Sequence, residues 1–285
     1  MISSRAVLRP TTRSTVQSLI FRGCSAAPAG KSLEESYYRT SQSDPTQHNT
    51  NHLGRIYTVD PEVPKRFGKE INQKENYNAN NYFGPRQWVN RCSVVKETAI
   101  MVREPAVQII NSIENYDHSK PALRFVLYGR NGCGKSLTLS HLTHYGHSAG
   151  YITMTFSQIK KWITRYYETA PSSYTPGHVD HVMNSNILLK NFKQANLERL
   201  SDPKLVTHKD YTWSVREKTL AGSPLMDVID IGCERLAFAA DAVNVLIREL
   251  KLNCSAGNCK LMVVCDGVNS LFAEQTLVHR SVSCC

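Results

Sequence analysis

The sequence has no long apolar run. Leu261–Cys265 is among its longest apolar runs and has only five residues. A helix that crosses a bilayer needs about 20 mostly apolar residues, so a membrane-spanning protein is excluded. A regular cysteine framework is also missing, because the nine cysteines are odd in number and scattered. Cys254 and Cys259 are five positions apart, which is not the two-residue gap of a zinc knuckle. A chain of this length can bury a core without disulfides, and we expect a reducing compartment.

Acidic residues are missing from residues 1–33, which are rich in Ser and Thr. Half of the formal net charge of +10 comes from this segment, through Arg5, Arg9, Arg13, Arg22 and Lys31. Acid-free, Arg-bearing, hydroxyl-rich sequence is typical of a mitochondrial transit peptide, and a disordered basic tail is the alternative. We expect residues 1–33 to direct the chain to the mitochondrial matrix. Because the rest is only mildly basic, charge alone gives little support for nucleic-acid binding.

Residues 34–95 lack a sustained helical or strand period and contain many Asn and Pro turn signals. We expect an extended polar arm with little core of its own. Its aromatic residues are too many for a free linker; they are Tyr57, Phe67, Tyr82, Phe83 and Trp88. The arm is therefore expected to lie against its own domain or against a partner.

Strand and helix patterns alternate from residue 96 onward. Strands are predicted at 124–128, 151–156 and 261–265 from their short apolar runs. Helices are predicted at 98–113, from Lys135 onward, and at roughly 157–168, 185–200 and 224–252. Alternation of this kind favours an α/β fold, in which a parallel sheet carries helices on both faces. We expect residues 96–285 to form one such domain.

The phosphate-loop pattern G-x-x-x-x-G-K-[ST] is matched without a mismatch by Gly129, Arg130, Asn131, Gly132, Cys133, Gly134, Lys135 and Ser136. Glycines let the backbone curl so that N–H groups point at phosphate oxygens, and the following helix presents its positive end there. Lys135 is expected to reach the β- and γ-phosphates, and the Ser136 hydroxyl is expected to ligate Mg²⁺. The sequence therefore predicts a P-loop nucleotide-binding domain.

Asp266 directly follows the predicted strand 261–265 and is the candidate for the second Mg²⁺ anchor of this site. The alternative is a turn aspartate, because Asp-Gly is a common turn pair. In many ATPases a glutamate follows this aspartate, but Gly267 stands here and Glu274 lies beyond a further turn or helix. A guanine-reading Asn-Lys-x-Asp sequence is also missing. The residues alone predict binding of a nucleotide with Mg²⁺, leave the catalytic residues unknown, and do not separate GTP from ATP.

His141, His144 and His147 recur every three residues on the helix after the loop. Acidic or cysteine co-ligands are missing nearby, so ordinary packing is favoured over a metal site. Cys133 fits the loop as a small filler, with an oxidation-sensitive thiol as the alternative.

Several local runs resemble the death-associated protein 3 family, the GTP-binding proteins of the mitochondrial small ribosomal subunit. These runs are Met101–Ala106, Arg124–Ser136, Leu189–Lys193, Tyr211–Trp213 with Arg216 and Glu217, Gly222–Leu225, Asp241–Val243 with Glu249–Lys251, and Val264–Asn269. Only the phosphate loop is generic, whereas Gly222–Leu225 and Leu189–Lys193 are far more specific to that family.

The resemblance implies an AAA-like P-loop ATPase fold in which GTP or GDP, with ATP possible, is held with Mg²⁺ largely as a structural ligand. It also implies residence in the head of the small subunit and a structural role in mitochondrial translation. The implied partners are mitochondrial small-subunit ribosomal RNA and neighbouring ribosomal proteins, and no DNA partner is expected. An apoptosis-linked role is attributed to the family too. The alternative function is therefore an active P-loop NTPase, or an apoptosis-linked signalling switch, acting off the ribosome.

The family continues past the end of this chain with further strands and a carboxy-terminal helical region. Residues Ser281–Cys285 do not resemble that continuation. We therefore expect the domain at 96–285 to be an incomplete one, as a truncated gene model or a splice variant would give.

Overall fold

The computed structural model describes residues 18–22, 38–67, 83–117, 120–157, 159–164, 169–172 and 175–272. Its helices are α1 Glu62–Arg66, α2 Arg86–Val95, α3 Glu104–Glu114, α4 Lys135–Ser148, α5 Ile159–Thr164, α6 Val182–Leu200, α7 Leu225–Glu234 and α8 Ala239–Ser255. Its strands are β1 Ser18–Arg22, β2 Ile56–Thr58, β3 Ala99–Met101, β4 Arg124–Tyr128, β5 Ile152–Phe156, β6 Ala170–Pro171, β7 Val179–Asp180, β8 Tyr211–Thr212, β9 Lys218–Thr219 and β10 Leu261–Cys265.

The chain divides into two compact units. Unit 1 comprises Met1–Asp60 and Asn90–Tyr145, and unit 2 comprises Pro61–Val89 and Gly146–Cys285. The three strands predicted from short apolar runs are confirmed as β4, β5 and β10.

Parallel pairing is confirmed in both units. In unit 2, β5 pairs in parallel with β10, so that Ile152 lies opposite Leu261. In unit 1, β4 pairs in parallel with β1, which lies within the predicted transit peptide. The described strands thus form an α/β fold with two-stranded sheets. A single AAA-like sheet that joins the nucleotide-binding strands stays a prediction.

Unit 1 is built around the antiparallel pair β2–β3 and helix α3. Tyr57 lies opposite Ile100 in this pair, and both side chains are fully buried. The helix predicted at 98–113 is wrong in its first turn, since residues 99–101 form β3 and α3 begins at Glu104. The backbone of Arg103 is extended, with φ −114° and ψ 146°, and Pro105 suits the first turn of a helix because it needs no N–H partner there. Pairing with β2 therefore overrides the helical periodicity of this segment.

The predicted arm, residues 34–95, contains more regular structure than its sequence indicates. It includes β2, α1, α2 and short 3₁₀ helices at Pro45–Gln47 and Thr50–His52. The expectation that its aromatic residues are packed is confirmed for Tyr57, Phe67 and Phe83, which are each at most 1% exposed. In unit 2, Phe67 contacts the rings of Phe83 and His147.

Unit 2 contains the main apolar core of the described chain, where α6, α7 and α8 pack on one another and α6 packs on β5. The buried core residues are Ile152, Met154, Leu189, Phe192, Leu200, Leu205, Leu225, Val228, Ile229, Ala239, Ala242, Leu246 and Leu250. Gly232 lets α7 approach α6 and α8 closely, because a Cβ there would lie 2.4 Å from Leu189 Cδ1 and 2.6 Å from Ala242 Cβ. The three helices therefore meet at a position that only glycine fills without a shift.

Buried asparagines supply hydrogen bonds where the helices of unit 2 end or bend. Asn196 has non-helical φ −118° and ψ 15° within α6. Its side chain accepts a hydrogen bond from Thr153 N at 2.8 Å and donates one to Thr153 O at 2.9 Å. Both backbone groups of this β5 residue thus have a partner, as they would if another strand were paired there. The Asn186 amide donates to the carbonyls of Gly232 and Cys233 at 2.8 and 2.9 Å.

The helix predicted at roughly 224–252 is in fact two helices, α7 and α8, joined through a 3₁₀ turn at Leu236–Phe238. The Asn186 amide bonds the last carbonyls of α7, and Arg235 leaves the helical region at φ −111° and ψ 97°. Because the partner for these carbonyls comes from α6, the break is set by tertiary contacts. Of the helices in the described part of the chain, none has the length and apolar character needed to cross a membrane.

Candidate nucleotide-binding loop

The predicted strand–loop–helix is confirmed, with residues 129–134 joining β4 to α4. Gly132 and Gly134 have φ of +81° and +85°, which residues with a Cβ adopt at a cost. The amide of Thr138 donates to the Gly134 carbonyl at 2.9 Å, so the first helical bond starts inside the loop. Gly129–Gly132 are exposed and Cys133–Ser136 are partly exposed, which leaves the loop open to a ligand.

The side chain of Lys135 folds back over the loop that precedes it. Its Nζ donates to the carbonyls of Gly129 at 3.0 Å and Arg130 at 2.9 Å, and lies 3.6 Å from Cys133 Sγ. These contacts hold a positive charge at the curled backbone. A polyphosphate could exchange places with the two neutral carbonyls, because its negative charge adds a Coulomb attraction to the ammonium group that a carbonyl lacks.

Arg103 is a second cation at the loop, and it lies outside the phosphate-loop pattern of residues 129–136. Its Nη1 donates to the Cys133 carbonyl at 2.9 Å. A Cβ on Gly134 would lie 2.5 Å from Arg103 Cζ, so glycine at 134 lets the guanidinium approach the backbone closely. The buried Nε of Arg103 has no hydrogen-bond partner in the described structure. The only sequence signal was its place in the run 101–106, just before a Pro-containing helix start.

The amino-terminal end of α4 is electrostatically suited to an anion. The helix has 14 residues and no acidic residue in its first turn. The unpaired N–H groups of a first turn carry the positive end of the helix dipole. Together with Lys135, this end of the helix can bind a phosphate chain, while Arg103 holds the loop backbone through the Cys133 carbonyl.

Asp266 directly follows β10, as predicted, and its amide donates to the Phe156 carbonyl at 2.8 Å. Gly267 then turns the chain with φ +80°, and a 3₁₀ helix follows at Val268–Phe272. This geometry is compatible with both the metal-ligand and the turn interpretation. The Ser136 hydroxyl and the Asp266 carboxylate are the hard oxygen donors that Mg²⁺ prefers. Asp266 belongs to unit 2 and Ser136 to unit 1, and their joint binding of Mg²⁺ stays a prediction.

A catalytic residue is not assigned to this site. Gly267 occupies the position after Asp266, and Glu274 lies outside the described residues. The loop geometry therefore supports phosphate binding, and no residue in the described part of the chain is assigned to orient an attacking water.

His141 and His144 of α4 pack against other rings in unit 1. His141 Nε2 lies 2.9 Å from His48 Nδ1, and His144 Nδ1 lies 3.2 Å from the Tyr57 hydroxyl. Burial lowers the pKa of His141 to about 3 and raises that of Tyr57. Within the described ranges, no group of three or more His, Cys, Asp or Glu side chains is arranged to hold a metal ion. Both histidines are thus part of a buried cluster of rings.

A family model and two related proteins all relate this chain to mitochondrial or small-subunit ribosomal proteins. The family model described as mitochondrial ribosomal death-associated protein 3 matches residues 100–282, which include the loop and Asp266. The small ribosomal subunit protein mS29 of Bos taurus is 32% identical over 246 residues, which are 86% of this chain and 58% of that protein. The protein of the same name from Mus musculus is 32% identical over 240 residues, 84% of this chain and 58% of its own length.

This chain therefore spans less than two thirds of either relative, while the family model covers well over half of the chain. The match includes both the phosphate loop of unit 1 and the β5–β10 pair of unit 2. On this basis, the chain belongs to the mitochondrial ribosomal death-associated protein 3 family.

Proposed function

We propose that this chain is a guanine-nucleotide-binding structural component of the mitochondrial small ribosomal subunit and supports mitochondrial translation. The family is described as mitochondrial ribosomal, which indicates location in the mitochondrion. Two relatives are named as small ribosomal subunit proteins, which supports a structural role in that particle. The proposed partners are small-subunit ribosomal RNA and neighbouring ribosomal proteins.

The observation that carries the nucleotide part of the proposal is the loop before α4. Two of its glycines have left-handed backbone angles, and Lys135 Nζ is held by loop carbonyls at 2.9 and 3.0 Å. In this proposal Lys135 leaves those carbonyls for the phosphates of GTP or GDP. Ser136 and Asp266 would hold Mg²⁺, which neutralises phosphate charge when it is bound. Arg103 would keep the loop curled through its bond to the Cys133 carbonyl.

The proposed nucleotide is a bound structural ligand. Turnover needs a group that positions water, and the position after Asp266 is glycine. Bound nucleotide stabilises the folded chain by mass action, in proportion to the logarithm of its concentration over its Kd. A ribosomal protein that retains its ligand would use this stabilisation to fix the shape of the loop.

Nucleotide binding is tested by titrating the purified chain with a fluorescent GDP analogue in the presence of Mg²⁺. Lys135→Ala should weaken binding at least about tenfold, because a charge-assisted hydrogen bond is worth more than about 1.4 kcal/mol. Lys120→Ala is the matched control, since Lys120 is an exposed lysine of the same unit. Equal affinity of the two variants, or no binding by the natural chain, would contradict the proposal.

The ribosomal part is tested by sedimentation of mitochondrial extracts that contain the tagged chain. We expect co-migration with the small subunit and loss of that co-migration after ribonuclease treatment. Recovery only in free fractions would contradict the structural role. GTP turnover that Lys135→Ala abolishes would instead favour an active NTPase or a signalling switch.

A further inference from the structure

Two cysteine thiols lie side by side in unit 2. The Sγ atoms of Cys254 and Cys259 are 3.4 Å apart, and both residues are partly exposed. Cys254 lies in the last turn of α8, and Cys259 lies two residues before β10. A modest approach of the two sulfurs would bring them to the roughly 2 Å of a disulfide bond.

The backbone between the cysteines is a hydrogen-bonded turn that holds the pair together. The amide of Gly257 donates to the Cys254 carbonyl at 3.0 Å, and the amide of Asn258 donates to the Asn253 carbonyl at 2.9 Å. Gly257 has φ +77°, the left-handed conformation that commonly ends a helix. The two thiols therefore meet because the helix ends in a defined turn, and not through a chance contact of mobile side chains.

A buried asparagine anchors this turn to the rest of unit 2. Asn253 is fully buried, and its side-chain amide donates to the carbonyls of Val206 and Glu249, both at 2.9 Å. The Asn258 side chain donates to the Asn253 side-chain oxygen at 3.1 Å. The turn is thereby tied to two other parts of the unit, which keeps the sulfur atoms close.

The two thiols differ in acidity in a way that suits disulfide exchange. The hydrogen bond from Cys259 lowers the pKa of the Cys254 thiol, and the same bond raises the pKa of Cys259. The attacking species in disulfide exchange is a thiolate. Elsewhere in unit 2, burial raises the pKa of Cys233 to about 11 and also raises the pKa of Cys265. Cys254 is thus better suited to attack than either of these neighbours.

We propose that Cys254 and Cys259 form a reversible intramolecular disulfide when they meet a small-molecule disulfide such as oxidised glutathione. The Cys254 thiolate attacks one sulfur of the reagent, forms a mixed disulfide and releases one glutathione thiolate. Cys259 loses its proton and attacks the Cys254 sulfur, which releases the second glutathione. The protein loses two thiol protons and two electrons, and one glutathione disulfide becomes two glutathione thiols. The bond closes a ring of six residues between α8 and β10.

The sequence makes this reaction simple to measure, because trypsin releases both cysteines in one peptide, Leu252–Lys260, which holds no other cysteine. The reduced full-length chain is incubated with oxidised glutathione, quenched with N-ethylmaleimide and digested with trypsin, and the peptide masses are measured by mass spectrometry. We expect this peptide to be about 2 Da lighter than its reduced form and to carry no maleimide. Reduction with dithiothreitol should restore two maleimide additions.

Internal controls come from the same digest. Cys233 lies in Thr219–Arg235 and Cys265 in Leu261–Arg280, each as the only cysteine. The paired peptide should lose maleimide reactivity at least about tenfold faster than either control peptide, because the first attack needs a thiolate and the pKa of Cys254 is lowered while the pKa values of Cys233 and Cys265 are raised. Its second thiol should then be lost without a second glutathione adduct, because that step is intramolecular. Cys259→Ser should stop the reaction at the Cys254 mixed disulfide. Equal rates in all three peptides, or glutathione adducts at both positions of the natural chain, would overturn the proposal.

Discussion

The buried histidine cluster of unit 1 should make this unit sensitive to mild acid. His48 Nε2 lies 3.0 Å from the Gln42 carbonyl, which can only accept, so this nitrogen carries the proton. His48 Nδ1 is then an acceptor, and the donor at 2.9 Å must be His141 Nε2. His141 Nδ1 is left as a bare nitrogen, and it is buried without a hydrogen-bond partner. Protonation there would create a buried charge that has no acceptor.

The sign and size of the effect follow from the pKa of His141. Burial lowers this pKa from 6.5 to about 3, so the folded state favours the neutral ring. The stabilising contribution is fully present above pH 6.5 and is lost as the pH falls from there toward 3. Each pH unit in this range costs about 1.4 kcal/mol for one histidine. Between pH 7 and pH 5 the loss from His141 is therefore about 2 kcal/mol.

The measurement compares urea unfolding of the natural chain and of His141→Gln at pH 7 and pH 5. Glutamine is neutral throughout and can still bond to His48. Circular dichroism is the suitable signal. Tryptophan fluorescence would report on the wrong unit, because Trp88, Trp162 and Trp213 all lie in unit 2. The natural chain should lose about 2 kcal/mol more than the variant on acidification. Equal losses would refute the reasoning, because every other titrating group is common to both proteins.

Three further predictions each rest on a close contact between residues of the same unit. Gly232→Ala should lower the unfolding free energy by about 1–3 kcal/mol, because the added methyl group overpacks the junction of three helices. Urea unfolding tests this, with Glu234→Ala as the control because Glu234 is an exposed residue of the same helix. Asn196→Ala should cost about 1–3 kcal/mol and speed hydrogen exchange at the Thr153 amide, because that amide loses its acceptor. Gly134→Ala should weaken binding of the fluorescent nucleotide at least about tenfold, because φ is +85° and the methyl group displaces Arg103 from the loop. Unchanged values in any of the three would show that the neighbouring groups shift without cost.

Elements with strong local signals were predictable from the sequence. The phosphate loop was located because its glycines, lysine and following helix are all encoded within 129–148. The strands β4, β5 and β10 were located because each is a short apolar run with a turn signal beside it. In these cases no distant residue is needed to decide the backbone conformation.

The errors occurred where a distant partner decides the local structure. Residues 99–101 have helical periodicity, but their hydrogen bonds go to residues 56–58, which are more than 40 positions away. The break between α7 and α8 depends on Asn186, and the bend in α6 depends on the backbone of Thr153. Hydrophobic periodicity records which side chains are apolar, and it contains no information on which carbonyl a buried amide will satisfy.

The same limit explains why Arg103 was missed at the candidate site. Its role depends on a carbonyl 30 positions later in the chain and on the missing side chain of Gly134. The phosphate-loop pattern assigns Gly134 to backbone curvature alone, but the structure adds a second requirement, which is space for a guanidinium. A pattern match therefore identifies residues that would face the ligand. Residues that hold the loop backbone through hydrogen bonds from a distant part of the chain can be found only from the contacts in the structure. Arg103 is of the second kind, and substitution there should loosen the loop even in chains where all eight pattern residues are intact.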